Sequence, residues 1–203
     1  MRKQTNHHQT RGGYTLLEVL LALAVIVSLL TVVWPSVTRM FQDYQIKSVA
    51  NDVRVQVAGI RTLSLNQGVS YQFRYEPEGT YFVAVPSEYG ALTITDDTAS
   101  TKANRIYGVL PEGMQFRHAD GVTELNTEKI SEIWLEGMEN STTLSGKDWS
   151  APLYFHPDGT ASEGEFQVVS RDGIALSISV RGLTGAVKMS AIKAHNDNPY
   201  AGL

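Results

Sequence analysis

The sequence predicts an α+β protein: a long N-terminal helix, membrane-spanning in its first half and amphipathic in its second, packed on an antiparallel β-sandwich-like domain. Three observations predict it. An almost unbroken apolar run fills Val19–Trp34, interrupted only by Ser28 and Thr31. Helically spaced apolar residues then continue to about Asn66. Six or more short strand-like segments follow, separated by turns containing Gly, Pro, Asn or Asp.

The first element opens with residues 1–12, MRKQTNHHQTRG, which carry Arg2, Lys3 and Arg11 and no acid. With Tyr14–Leu17 added, the apolar run is about long enough for a bilayer core of ~30 Å at 1.5 Å per residue. Positive charge ahead of it holds the N-terminus in the cytoplasm and sends the remainder outward. A cleaved secretory signal would close on a small-x-small site, whereas this run ends Val32-Val33-Trp34-Pro35. A plain signal anchor accounts for the length and the charges but gives Glu18 no role. An ionisable group in a lipid-facing helix costs roughly 2.5–3.5 kcal/mol at mid-helix and less near an end, so Glu18 calls for a partner or a function. Near a helix N-terminus its charge is favoured by the macrodipole.

The stretch Gly13-Tyr14-Thr15-Leu16-Leu17-Glu18-Val19-Leu20 resembles the class III signal of type IV prepilins and type II secretion pseudopilins. The resemblance implies cleavage by a prepilin peptidase after Gly13 and N-methylation of the new first residue, Tyr14. Glu18 falls fifth after the cut, where the family has its glutamate. Pro35 falls twenty-second, where these proteins often have a proline. It lacks an N–H and clashes with the turn before it, so it is expected to kink or divide the helix. In a filament, Glu18 would pair with the amine that cleavage creates on a neighbouring subunit, setting register. Opposite charges about 4 Å apart attract more strongly in low dielectric than in water.

The second half of the helix has Val37, Phe41 and Tyr44 as one apolar stripe, continued with a slight shift by Ile46, Val49, Val53, Val57 and Ile60. Asn66-Gln67-Gly68 reads as its end. Strands are expected at Val69–Tyr75 and Thr80–Val85 around the turn Glu76-Pro77-Glu78-Gly79. Further strands are expected at Arg105–Val109, Met114–His118, Ile130–Leu135, Leu153–Phe155, Glu165–Ser170, Ile174–Arg181 and Ala186–Ser190. Residues 87–104, with a short strand at Leu92–Thr95, and Glu139–Ser150 read as loops. The boundaries are a cleaved leader (1–13), a transmembrane and filament-core helix (14–35), its amphipathic continuation (36–66), the β domain (67–193) and a flexible tail (194–203).

The late segments Pro152–Thr160, Phe166–Val169, Ile178–Val180 and Gly182–Val187 resemble the closing region of H-type (GspH/FimT-like) minor pseudopilins. That family ends with an apolar strand, a turn, two strands and a glycine before the last strand. Residues 87–150 carry no such resemblance.

Little elsewhere points to chemistry. There is no cysteine, which excludes disulfides and thiolate sites. Of five histidines, His7 and His8 fall in the leader, and His118, His156 and His195 lack metal-ligand spacing. His156-Pro157-Asp158-Gly159 reads as a hairpin turn rather than a catalytic group. Asp96-Asp97 is not spaced like a calcium loop. No P-loop, dinucleotide fingerprint or nucleophile elbow occurs. No catalytic residue, metal or cofactor is expected. The net charge of −4 becomes about −7 once the leader's three basic residues are removed, which argues against a general grip on nucleic acid. Arg171, Arg181, Lys188 and Lys193 give the end of the chain a basic bias, without the interleaved aromatics of a single-strand groove.

The resemblance implies a structural minor pseudopilin of a type II secretion filament. It would sit in the bacterial inner membrane by a single pass, with its C-terminal domain periplasmic. Its partners would be other pseudopilins, the prepilin peptidase and the inner-membrane assembly platform. The alternatives are a minor type IV pilin for adhesion or motility and a DNA-uptake minor pilin.

Overall fold

The structure, a computed structural model, describes residues 15–87, 104–119, 126–135 and 137–194, without the side chains of Val32, Val33, Pro35, Ser36, Arg39, Lys193 and Ala194. Gly13, Tyr14, the rest of the leader, the expected strand at Leu92–Thr95, Asp96-Asp97 and the tail beyond Ala194 lie outside the described residues. The chain divides into two units, Met1–Gln42 and Asp43–Leu203.

Helix α1 (Leu16–Gln67) is continuous and runs through Pro35 undivided. Between Leu16 and Leu30 its large apolar side chains stand about half or more exposed, from 49% at Val25 to 80% at Leu16. The two polar residues of the run satisfy themselves within the helix. Ser28 Oγ donates to the Val25 carbonyl at 2.8 Å and Thr31 Oγ1 to the Ser28 carbonyl at 2.7 Å. Neither hydroxyl therefore needs water. Among the described residues no helix is long and apolar enough to cross a membrane. The apolar stretch described with its side chains, Leu16–Thr31, measures about 24 Å at 1.5 Å per residue, against a core of ~30 Å. The side chains of Val32 and Val33, which the expected span also uses, lie beyond the description.

In the second unit, Ile46, Ala50, Val53, Val57 and Ile60 are buried on one face of α1. Tyr44, only two residues before Ile46, is 73% exposed. Two residues turn a helix by about 200°, so Tyr44 and Ile46 lie on nearly opposite faces. The expected single stripe is thus two, and only the later one enters the core. Gly68 ends the helix at φ +67, its N–H reaching the Ser64 carbonyl at 2.9 Å. That left-handed cap suits glycine.

Two larger antiparallel sheets follow. The first has the order β3-β2-β1-β7, from β1 (Tyr71–Tyr75), β2 (Tyr81–Pro86), β3 (Ile106–Val109) and β7 (Leu153–Phe155). The second has the order β10-β9-β8-β4, from β4 (Met114–His118), β8 (Gly164–Ser170), β9 (Ile174–Val180) and β10 (Val187–Met189). β11 (Lys193–Ala194) also pairs with β9. Phe73 and Tyr75 meet Phe166 across the sheets at ring separations of 5.4 and 5.2 Å, and Phe82 meets Phe116 at 6.0 Å. These rings and the buried face of α1 form one core.

The interval between β4 and β7 departs from expectation. Ile130–Leu135 is not a strand: β5 (Glu128–Lys129) precedes a short helix, α2 (Glu132–Leu135). Glu139–Ser150 is not wholly loop but holds α3 (Ser141–Ser145) and β6 (Asp148–Trp149), which pairs with β5. The reason lies in β2. Phe82 and Ala84 face the main core, while Val83 and Val85, on the opposite face, are also fully buried. Ile130, Leu135, Leu144 and Trp149 cover them, and the Trp149 indole N–H is satisfied by the Leu144 carbonyl at 2.9 Å. The short helices bring these apolar residues to one side, which a strand over Ile130–Leu135 would not do.

The final turn is fixed by close approach. Gly185 sits at φ +58, and an added Cβ would stand 2.7 Å from Arg61 Cδ and 2.9 Å from the Gly159 carbonyl oxygen. Gly185→Ala is expected to lower stability by about 1–3 kcal/mol, measured as the shift in urea midpoint of the full chain in detergent. An unchanged midpoint would show that Arg61 and the turn yield freely.

Candidate functional site

Thr15 caps the start of α1. Its Oγ1 accepts the Glu18 amide N–H at 3.2 Å, and its carbonyl accepts the same N–H at 3.1 Å. Thr15-Leu16-Leu17-Glu18 thus has the Thr-x-x-Glu spacing of a capping box, a signal present in the sequence that the expectation of a pairing role passed over. Glu18 is the acidic residue of the first turn and is exposed. Its neighbours Leu16, Leu17, Leu20 and Leu21 are all at least 60% exposed. The site is therefore a single carboxylate, held at a capped helix start, on an apolar surface that nothing within the chain covers among the described residues. Of the other expected site residues, Pro35 lies within α1, and Gly13 and Tyr14 precede the described residues.

The second cluster of interest gathers Ser70, His156 and Asp158. Ser70 Oγ lies 3.2 Å from His156 Nδ1. Asp158 does not orient the histidine: its Oδ1 accepts the Thr160 amide at 2.9 Å and the Thr160 hydroxyl at 2.7 Å. Those hydrogen bonds hold its carboxyl below the ordinary value. The His156 amide also bonds the Thr160 carbonyl at 2.9 Å, closing a turn. No base-and-orienter chain to a nucleophile results.

Two charged groups pin the covering segment to the first sheet. Arg74, only 9% exposed, donates to Gln72 Oε1 at 3.0 Å, to Glu128 Oε2 at 3.0 Å and to the Ser150 carbonyl at 3.5 Å. Lys147 Nζ lies 2.7 Å from Glu76 Oε1 and 4.2 Å from the centre of the Tyr81 ring. These contacts are internal, and they explain a buried arginine without a ligand. Two of the basic residues near the chain end lie apart. Arg171 and Arg181 are exposed beyond opposite ends of β9, a strand that spans about 23 Å at 3.3 Å per residue. Among the described residues no group of His, Asp and Glu could hold a metal ion.

No protein-family model and no curated protein matches the chain. Two solved structures of the minor pseudopilin EpsH from the type II secretion system of Vibrio cholerae are similar to it, each at 12% identity and over 97% of their own length. They cover 72% and 73% of this chain, with TM-scores of 0.43 and 0.45.

Proposed function

We propose that this chain is a structural minor pseudopilin of a type II secretion filament, not an enzyme. The observation that carries the reading is the start of α1, where one carboxylate stands on an otherwise apolar, exposed helix surface. Such a surface needs lipid before assembly and neighbouring helices after it. The signal at Gly13–Leu20 supports the same reading. Cleavage after Gly13 and methylation of Tyr14 prepare the subunit, which the helix from Tyr14 to Pro35 holds in the inner membrane with its β domain outside. The assembly platform then draws it among other pseudopilins, where Glu18 meets a neighbour's new amine. Pro35 gives the helix a bend.

Processing tests the family directly. Gly13→Ala is expected to accumulate the uncut chain, whereas the parent should yield a protein beginning with N-methylated Tyr14 by mass spectrometry. A mutant of normal mature length would contradict the assignment.

A further inference from the structure

One seam between the two sheets runs along the β1–β2 turn. The turn between β1 and β2 pairs with β4: the Glu78 N–H donates to the Phe116 carbonyl at 2.8 Å, and the Phe116 N–H to the Gly79 carbonyl at 2.8 Å. Glu78 takes a left-handed φ of 57° to make this junction. Two residues along β4, His118 adds the seam's side-chain link, its Nδ1 lying 2.8 Å from Tyr75 Oη with the rings 5.4 Å apart. His118 Nε2 is buried and has no hydrogen-bond partner among the described residues.

We propose that His118 is a proton-sensitive latch on this seam, closed when the imidazole is neutral and released when it is protonated. A neutral ring shares one hydrogen bond with Tyr75 and leaves a single nitrogen unmet. An imidazolium carries an N–H on both nitrogens, so Nε2 becomes a buried charged donor with no acceptor among the described residues, which is far costlier than an unmet neutral atom. Among the described residues the titratable and charged groups facing His118 are Tyr75 from β1 and Glu78 from the turn, while β8 places Phe166 opposite it. Burial lowers the His118 pKa from its ordinary 6.5, and the Glu78 charge opposes that with a smaller effect. Burial raises the Tyr75 phenol, which therefore stays neutral and supplies no counter-charge. The unfolded chain takes up the proton first. The stabilising contribution is complete above pH 6.5 and is lost as pH falls through the lower folded value.

The test is a titration of the full chain in detergent micelles with ¹³Cε1-labelled histidine, the His118 signal being assigned through its contact with the Tyr75 ring. The expected midpoint lies below 6.5. Between pH 7 and 5 the melting temperature should fall more steeply than in His118→Gln. Hydrogen exchange at residues 76–79 and 114–118, corrected for intrinsic rate, should rise ahead of exchange in β9. A midpoint at or above 6.5, equal slopes in parent and variant, or simultaneous loss of protection throughout would each overturn the proposal. Should the variant fail to fold, the titration and exchange of the parent decide alone.

Discussion

In the proposed assembly, Glu18→Gln is expected to leave the start of the helix intact and to remove the chain from the filament. Glutamine suits the fourth position of a capping box as glutamate does. The bond from Thr15 Oγ1 runs to the main-chain amide of residue 18 and survives the change. Only the charge is lost. An ion pair at about 4 Å with an effective dielectric of 20 is worth about 4 kcal/mol, or roughly a thousandfold in each subunit contact. Cleavage after Gly13 and methylation of Tyr14 should continue, because the glycine and the tyrosine are untouched. The measurement is the fraction of subunit recovered in sheared, pelleted filaments. Undiminished recovery would reduce Glu18 to a helix-start residue. Glu18→Ala removes the charge and the capping side chain together, so the glutamine variant is the sharper instrument.

Phe166→Ala is expected to cost about 3–5 kcal/mol, a large fraction of the ~5–15 kcal/mol that holds a domain folded. Phe166 is fully buried and meets Phe73, Tyr75 and Phe116 at ring separations of 5.4, 5.2 and 6.0 Å. It belongs to β8, the inner strand beside β4, and reaches two rings of the other sheet. Removing it opens a cavity that the remaining rings close only in part. Leu183, 91% exposed in the last turn, serves as the control: Leu183→Ala should change stability by no more than about 0.5 kcal/mol. Urea unfolding of the full chain in detergent measures both. A Phe166→Ala cost below about 1 kcal/mol would mean that the sheets are not held together through this ring.

Elements with a clean local pattern were readable without coordinates. Met114–His118 and Leu153–Phe155 have the expected bounds, and β8 and β9 differ by a residue at one end. Their alternation and their Asp-Gly and Gly-containing turns act within a few residues. The segment from Glu128 to Trp149 was not readable, because its order comes from elsewhere in the chain. A helix of four residues is too short to show a period, and Leu144 is the only large apolar side chain in α3. The available clue sat in β2, where Phe82-Val83-Ala84-Val85 is apolar on both faces and so demands two covers. At the candidate site, the signal around Glu18 was plain in the sequence. The seam histidine was not, since nothing near His118 announces that Tyr75 will lie against it.

The doubly apolar β2 strand also sets a schedule. Val83 leaves the ribosome 66 positions ahead of Trp149, which will cover it. At about 5–20 residues per second the wait is roughly 3–13 seconds. On the other face Phe82 meets Phe116, which arrives 34 residues after it. For that time the β1–β2 hairpin is complete in sequence but bare on the face of Val83 and Val85, the condition in which strands seek the wrong neighbours. Arg74, Glu76 and Glu78 then stand as charges within and beside the hairpin, where they discourage such pairing. Two of them, Arg74 and Glu76, are the groups that Glu128 and Lys147 later engage, so guards of the nascent chain become the fasteners of the finished one.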